Sequence, residues 1–260
     1  MIDQTKPAAI VTGGESGIGK ACALALGRAH VPVVLTYYAD RTAADAVVAA
    51  IAHAGGQALA CQCDVGNEAA VEALFASAEA RFGPVQMLVN SAGLNMSGTP
   101  IQAMELEQFD RVLKADLYGP FLTCRRFVRG LGEARGDAPA RIVNVSSIHE
   151  RAPRAGGLDY DAAKGGLAQL TATLALELAP RQISVNAVAP GMILTPMNQS
   201  ALDDPHELAT KQAAIPWGRA GTAEEVADLV LFLLSDKAAY ITGTTVTIDG
   251  ALSLTVAQGA

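Results

Sequence analysis

Short apolar runs alternate along the chain with longer stretches in which apolar residues recur every three or four positions. The short runs are rich in Val, Ile and Leu, as expected of parallel strands buried on both faces. Several of the longer stretches end near Gly-Gly, Gly-Pro or Pro, which commonly stop helices. The pattern predicts strands at residues 8–12, 32–37, 57–61, 86–90, 140–146, 183–189 and 245–248, and helices at 18–29, 42–54, 68–81, 105–130, 158–179 and 223–234.

This alternation predicts an α/β protein with a single Rossmann-type, doubly wound parallel sheet of about seven strands and helices on both faces. No linker, repeat or low-complexity segment divides the 260 residues, so we expect one domain over residues 1–260. Residues 192–221 are the least regular part and follow a strand end. Because ligands bind at that edge of an open α/β sheet, we expect this segment to form a lid over the substrate.

Composition narrows the possible classes of function. The net charge is −7 and Lys and Arg form no long run, which argues against a nucleic-acid partner. The N-terminal stretch is polar and the longest strongly apolar stretch, residues 229–234, is far too short to span a bilayer. The four cysteines and four histidines form no ligand pattern. We therefore expect a cytoplasmic protein with reduced thiols, no membrane contact and no metal site.

A glycine-rich turn runs from Thr12 to Gly19, directly after the first predicted strand and at the start of the first predicted helix. A turn of this kind brings backbone N–H groups and the positive end of a helix close to a diphosphate. Side chains at Gly13, Gly17 or Gly19 would block the turn, the phosphate or the helix–strand packing. Taken alone, this stretch also fits an ordinary tight turn that contains glycines by chance and binds no ligand.

A second pattern carries acid–base chemistry. Tyr160 and Lys164 are four positions apart in a predicted helix and therefore share one face. Ser147 follows the fifth predicted strand, so all three side chains can meet at the carboxyl edge of the sheet. A nearby ammonium stabilises a phenolate, and Tyr160 could then exchange a proton with an alcohol or a carbonyl while Ser147 holds the substrate oxygen. Because the same chain also contains the glycine-rich turn, chance does not readily explain the presence of these three residues.

With these motifs, the sequence resembles the classical short-chain dehydrogenase/reductase family along almost its whole length, and within it the bacterial glucose 1-dehydrogenases at residues 146–150, 160–166 and 174–180. The resemblance implies a nicotinamide cofactor, hydride transfer and usually a homotetramer. It implies that Ser147, Tyr160, Lys164 and Asp116 are catalytic. The cofactor contacts that follow are Gly13, Glu15, Ser16, Gly17, Ile18, Gly19, Tyr38, Asp64, Val65, Asn90, Ala92, Gly93, Tyr160, Lys164, Pro190, Gly191, Ile193 and Thr195.

Two departures from the family pattern stand out. Asp116 occupies a position where the family commonly has an asparagine that holds a water in the proton relay to the lysine. Its charge is expected to favour the Lys164 ammonium and to weaken the pull of that ammonium on Tyr160. We expect the relay to survive with an altered pH dependence. Asn95 stands where glucose dehydrogenases usually carry a sugar-binding glutamate, which weakens glucose as the substrate. The expected substrate contacts are Ser147, His149, Asn95 and Tyr160, although His149 also fits a solvent-facing loop histidine.

The cofactor is expected to be NAD or NADP, with a slight preference for NAD. An acidic residue at the end of the second strand usually marks a 2′-hydroxyl, whereas a 2′-phosphate calls for Arg or Lys. Here that strand ends in Tyr37 and Tyr38, and Glu15 in the turn would repel a phosphate. Arg41 could still reach one, so NADP stays open.

The sequence therefore favours an oxidoreductase that transfers a hydride between a nicotinamide cofactor and a small alcohol, ketone or sugar. A reductase of 3-oxoacyl thioesters on acyl carrier protein is the first alternative, with Arg151 and Arg154 as a basic docking surface. A non-catalytic dinucleotide sensor is the second. A serine hydrolase is excluded because no Gly-x-Ser-x-Gly elbow is present.

Overall fold

The computed structural model describes residues 7–132 and 139–257. Its strands are β1 (Ala8–Thr12), β2 (Val33–Tyr37), β3 (Ala58–Gln62), β4 (Val85–Asn90), β5 (Ala140–Val145), β6 (Ile183–Pro190) and β7 (Thr245–Ile248). Its α-helices are α1 (Gly17–Arg28), α2 (Arg41–His53), α3 (Glu68–Phe82), α4 (Leu106–Leu113), α5 (Gly119–Gly130), α6 (Leu158–Leu178), α7 (Gln199–Asp203), α8 (Pro205–Ala213) and α9 (Ala223–Leu233).

The seven strands form one parallel sheet in the order β3-β2-β1-β4-β5-β6-β7. Successive side chains of β1 point to opposite faces. Ala9 and Val11 pack with residues of α1, α2 and α9, whereas Ala8 and Ile10 pack with residues of α3, α5 and α6. The doubly wound fold predicted from the alternating pattern is therefore confirmed. Strands β2 and β3 are added on one side of β1, and strands β4 to β7 are added on the other. The strand order therefore reverses between β1 and β4, the switch point at which ligands bind in such sheets.

The long helix predicted over residues 105–130 is interrupted. A π-helical turn, Lys114–Tyr118, separates α4 from α5, and the N–H of Gly119 donates to the carbonyl of Lys114 five residues back. Pro120 explains the widened turn, because it has no N–H for the Asp116 carbonyl and its ring would clash with that carbonyl in a regular helix. The turn directs Asp116 into the interior, where it is 0% exposed.

Residues 192–221 are more regular than predicted, because they contain α7 and α8. Pro205 stands in the first turn of α8, and the Asp204 carboxylate accepts from the N–H groups of His206 and Glu207. This proline marks a helix start and not an irregular loop. An isolated parallel bridge between Ile193 and Gly221 closes the base of the segment. Its role as a lid stays a prediction.

All four cysteines are free, and burial raises the pKa of Cys22 and Cys124 to about 12, which makes these two thiols unreactive. Within residues 7–132 and 139–257, no three His, Cys, Asp or Glu side chains are arranged to hold a metal ion. Among the helices of the same residues, none combines the length and apolar character that a membrane span requires.

Candidate active site

A cavity of about 740 Å³ lies at the carboxyl edge of the sheet, where the segments after β1, β3, β4, β5 and β6 meet. Residues of both predicted motifs, the glycine-rich turn and the Tyr160–Lys164 pair, line this cavity. The predicted site residues that line it are Gly13, Glu15, Ser16, Gly17, Ile18, Tyr38, Asp64, Val65, Ala92, Gly93, Asp116, Ser147, Tyr160, Lys164, Pro190, Gly191, Ile193 and Thr195.

The glycine-rich turn has the close approaches that such a motif requires. A Cβ atom on Gly13, whose φ is +63°, would lie 2.8 Å from the Ala92 Cα, and one on Gly19 would lie 2.1 Å from the Gly13 carbonyl oxygen. Gly19 therefore acts by packing and does not line the cavity. Ser16 begins α1 without a side-chain cap, so the first N–H groups of the helix stay free for an anion. The turn thus fits the diphosphate of a dinucleotide.

Two carboxylates, those of Glu15 and Asp64, line the cavity. The Asp64 carboxylate accepts from the N–H of Gly66 at 2.9 Å, and Glu15 and Tyr38 line the cavity nearby on the turn and after β2. Burial raises the pKa of Glu15, the N–H groups of Glu15 and Tyr38 oppose that shift, and the Asp40 charge adds to it. No hydrogen-bond partner among the described residues reaches the buried Glu15 Oε2.

Tyr160 and Lys164 lie one helical turn apart on α6, and both are buried. The Lys164 Nζ is 5.4 Å from the centroid of the Tyr160 ring and donates to the Val145 carbonyl at 3.1 Å. Ser147 follows β5 and lines the same cavity, with its Oγ accepting from the His149 N–H at 3.2 Å. The structure therefore brings the three predicted catalytic side chains to one end of the cavity.

Asp116 forms a buried ion pair with Lys164, with 3.0 Å between Oδ1 and Nζ. Its Oδ2 accepts from the Leu94 N–H at 2.7 Å. Burial raises the pKa of Asp116, and the Lys164 ammonium opposes that shift. Burial also works against the Lys164 ammonium, but the Asp116 charge, with Tyr160 and Glu150, outweighs it and raises the pKa of Lys164. Each partner therefore favours the charged form of the other, against the cost of burial.

The Asn90 side chain lies outside the cavity lining, and the contact of Asn90 with the cofactor stays a prediction. Its Nδ2 donates to Asn144 Oδ1 at 2.9 Å, and its Oδ1 accepts from Thr123 Oγ1 at 2.7 Å. Asn144 in turn donates to Thr171 Oγ1 at 2.9 Å. This buried network joins β4 and β5 to α5 and α6, and it leaves the Asn90 side chain unavailable to a ligand.

His149 and Asn95 are not among the residues that line the cavity, and their contacts with a substrate stay predictions. The His149 Nδ1 lies 2.8 Å from the Ala152 carbonyl oxygen, and its ring meets the Tyr160 ring edge-on at 6.2 Å between centroids. The exposed Asn95 accepts through Oδ1 from Ser97 and Arg154. The His149 ring therefore bonds within its own loop, whereas Asn95 connects its loop to Arg154 in the segment before α6.

One wall of the cavity was missed by sequence reasoning. It is formed by a face of α4 and the start of the π-helical turn, and its polar residues look from sequence like a solvated helix face. The residues involved are Leu106, Glu107, Asp110, Arg111 and Lys114. Pro196, Met197 and Asn198 line the cavity from within the predicted lid segment.

Comparison with known proteins agrees with the geometry of this site. A family model described as "Enoyl-(Acyl carrier protein) reductase", adh_short_C2, matches residues 13–253. The chain is 41% identical over 245 residues to 3beta-hydroxysteroid dehydrogenase 1 of Eggerthella lenta, covering 94% of this chain and 93% of that protein. It is 35% identical over 257 residues to glucose 1-dehydrogenase 2 of Bacillus subtilis, covering 98% of each.

A solved structure has the same architecture. Acetoin dehydrogenase from Enterobacter cloacae superposes with a TM-score of 0.87 at 35% identity, over 98% of this chain and 99% of that one. The relatives act on different alcohols and ketones by their names, so they share a reaction type and not one substrate. The chain belongs to the short-chain dehydrogenase/reductase family and is an NAD(P)-dependent oxidoreductase.

Proposed function

We propose that the protein interconverts a small secondary alcohol, sugar hydroxyls included, and the corresponding ketone or lactone, with NAD as the preferred cofactor. The observation that carries this proposal is one cavity that is lined both by the glycine-rich turn, which fits a diphosphate, and by Ser147, Tyr160 and Lys164. When bound, the nicotinamide accepts or supplies the hydride.

The residues of the chain then move and direct the proton. Tyr160 takes the proton from the substrate hydroxyl during oxidation and returns it during reduction. The Lys164 ammonium, 5.4 Å from the centre of the ring, stabilises the phenolate. Ser147 donates to the substrate oxygen and fixes its direction. Asp116 keeps Lys164 charged through the 3.0 Å ion pair and occupies the place of the family's asparagine.

The cofactor would lie along the carboxyl edge of the sheet. Backbone N–H groups of the turn and α1 would bind its diphosphate, and Asp64 and Val65 would flank the adenine. Ala92 and Gly93 allow a ribose to approach closely after β4. The nicotinamide would lie against the segment after β6, which contributes Pro190, Gly191, Ile193 and Thr195.

NAD is favoured over NADP by the charges near the adenosine end. Tyr38 stands at the end of β2, where a basic residue would receive a 2′-phosphate. Arg41, which could have reached one, pairs with Asp45 at 3.3 Å and does not line the cavity.

A reductase of 3-oxoacyl thioesters is the second candidate, and Arg154 is the observation that favours it. Its guanidinium is 5.9 Å from the centroid of the Tyr160 ring, on the exposed side of the site. Its donors are directed to Asn95 and Ser97, however, and Arg151 pairs with Glu150 at 3.4 Å. Both arginines are therefore engaged within the chain, which makes an acidic carrier the weaker candidate.

A homotetramer in the cytoplasm remains the expected setting. The exposed apolar side chains Tyr118 and Phe121 near the start of α5, and Leu176 on α6, support pairing through these helices.

Absorbance at the nicotinamide band tests the proposal, with NAD and then NADP against sugars, polyols, simple secondary alcohols and an acetoacetyl thioester. Turnover of an alcohol with NAD is the expected result. Turnover of the thioester alone would favour the reductase. Tight dinucleotide binding without turnover of any substrate would instead favour the sensor, and would contradict the proposal.

A further inference from the structure

An arginine stands beside the proposed catalytic tyrosine without a negatively charged partner. The guanidinium carbon of Arg154 is 5.9 Å from the centroid of the Tyr160 ring, and the residue is exposed. We infer that Arg154 binds a carboxylate of the substrate, which makes the preferred alcohol a short hydroxy acid and the product the corresponding oxo acid. This inference rests on the proposed function and narrows its substrate class.

Two loops meet at this arginine. The N–H of Gly98, in the loop after β4, donates to the carbonyl of Gly156, in the loop after β5, at 2.7 Å. A Cβ atom on Gly156 would lie 3.2 Å from the Gly98 carbonyl carbon, so the two backbones are in direct contact. The first residues of both loops, 91–94 and 145–147, line the cavity. Arg154 is therefore placed by the same loops that bring Ser147 to the cavity.

Neutral oxygen atoms hold the guanidinium in place. Arg154 Nη2 donates to Asn95 Oδ1 at 3.0 Å and to Ser97 Oγ at 2.5 Å. The same Asn95 oxygen accepts from the Ser97 N–H at 3.1 Å and from the Ser97 hydroxyl at 2.6 Å, which fixes the acceptor. A guanidinium has five N–H donors, and these bonds use only those on Nη2. Among the described residues no acceptor engages the donors on Nε and Nη1, so these N–H groups remain for a ligand.

The acids nearby leave this positive charge without a counter-ion. Asp161 accepts from the Arg154 backbone N–H at 2.9 Å through Oδ2, and its Oδ1 is shielded from solvent. Asp159 is 0% exposed, and Glu150 pairs with Arg151 at 3.4 Å. No carboxylate in the described part of the chain forms an ion pair with the Arg154 guanidinium.

A small carboxylate suits this position better than a neutral group or an acidic protein. A charge-assisted hydrogen bond is stronger than a neutral one, and a side chain that is already held in place loses little conformational freedom on binding. A single cation fits one small anion, whereas a carrier protein requires a wider basic surface, and the neighbouring Arg151 is already paired.

The 5.9 Å separation from the Tyr160 ring limits the carboxylate to a position close to the carbinol carbon, as in 2- and 3-hydroxy acids. The chemistry of the proposed function is unchanged. The carbinol carbon loses a hydride to the oxidised cofactor, and the substrate hydroxyl loses its proton to Tyr160, which leaves the oxo acid.

Steady-state kinetics on matched substrate pairs tests the inference. Each pair is a short 2- or 3-hydroxy acid and its primary amide, which has nearly the same size and the same hydroxyl but no charge. We expect the wild type to favour the acids over the amides in kcat/KM by about tenfold or more. Arg154→Gln should remove this preference by deleting the cation, and Asn95→Asp should remove it by pairing the cation with a carboxylate. Arg154→Lys keeps a positive charge and should retain part of the preference.

Arg151→Gln is the matched control, because it removes an exposed arginine from the same loop. Its ratio of acid to amide turnover should stay within about twofold of the wild type. Butyrate gives a second readout as an inhibitor of the best neutral alcohol, and its inhibition constant should rise by about tenfold in Arg154→Gln and in Asn95→Asp. Thermal melting verifies that each variant is folded.

Two results would overturn the inference alone. One is a wild type that turns over the amides or other neutral alcohols as well as the acids, or better. The other is a preference for the acids that persists in both Arg154→Gln and Asn95→Asp. A wild type that turns over no acid, amide, neutral alcohol or ketone would contradict the proposed function as well, so the two failures can be told apart.

Discussion

At the scale of single residues, the ion pair between Asp116 and Lys164 is the most consequential feature of the site. Asp116 is 0% exposed and its Oδ1 lies 3.0 Å from the Lys164 Nζ. Removing one partner of a buried pair leaves an uncompensated charge, which is strongly unfavourable. A negative charge on Asp116 therefore favours the protonated form of Lys164 next to Tyr160.

Asp116→Asn is predicted to move the alkaline limb of the kcat/KM profile to lower pH by about one unit or more. Folding raises the pKa of Lys164, so its ammonium stabilises the folded protein at any pH below the pKa of an unfolded lysine. This stabilisation is lost as the pH rises through the pKa of Lys164 in the folded protein. Without the Asp116 charge, burial becomes the dominant influence and lowers the pKa of Lys164. The ammonium that stabilises the phenolate is then lost earlier.

Asp159→Asn is the matched control for that profile, because Asp159 is equally buried but accepts from Gln108 and from the Tyr160 N–H. Its alkaline limb should stay close to that of the wild type. If Asp116→Asn changes neither the rate nor the pH profile, the proposed positioning role of Asp116 is wrong.

The sequence predicted which side chains line the cavity better for the proposed catalytic group than for the proposed substrate contacts. Tyr160 and Lys164 follow from helical spacing alone, and Ser147 follows from its place at a strand end. His149 and Asn95 lie in loops, and their directions depend on the Ala152 carbonyl and on Ser97. Such contacts have no periodic signal in the sequence.

At the scale of elements, a buried polar network fixes the strand ends below the site. Thr123 on α5 donates to Asn90 at the end of β4, and Asn90 donates to Asn144 on β5. All three residues are at most 3% exposed. Because an unpaired buried polar group is costly, the network specifies how α5 meets the sheet.

Thr123→Val is predicted to lower the free energy of unfolding by about 1–3 kcal/mol, because it leaves Asn90 Oδ1 without its donor at nearly constant side-chain volume. Urea unfolding at a fixed protein concentration measures the loss. Thr210→Val is the control, because Thr210 makes a similar bond to the His206 carbonyl at an exposed position of α8. The control should change stability by less than about 0.5 kcal/mol. Equal losses in the two variants would contradict the role of the network.

The interruption between α4 and α5 shows where prediction of elements fails. Apolar periodicity runs through residues 105–130, and Pro120 was the one local signal of a break. A proline can lie in the first turn of a new helix or widen a helix that continues, and the local sequence does not distinguish the two cases. The consequence for the site is large, because the widened turn directs Asp116 to Lys164.

At the scale of the whole molecule, the seven strands and their parallel order were predictable because doubly buried strands have an almost continuous apolar pattern. The cavity wall formed by α4 was not predictable, because a polar helix face has the same sequence pattern whether it contacts a ligand or solvent. The association of subunits is equally hidden, and the exposed apolar residues near the start of α5 are its main structural support.

Phe121→Glu is predicted to break the proposed tetramer into smaller species, because it places a charge among the exposed apolar residues Tyr118 and Phe121. Light scattering coupled to size-exclusion chromatography measures the mass against the 26.7 kDa chain. Thr210→Glu on the exposed surface of α8 is the control and should keep the mass of the wild type. A wild-type monomer would rule out the tetramer.

The most direct test of the proposed chemistry is the turnover of Tyr160→Phe with the best alcohol and NAD, measured beside dinucleotide binding. Loss of the phenol proton should reduce kcat by about 10²–10⁴-fold while NAD affinity stays nearly unchanged. Tyr118→Phe, which alters an exposed tyrosine, should retain wild-type turnover. A Tyr160→Phe enzyme with full turnover would contradict the proposal that this phenol transfers the proton.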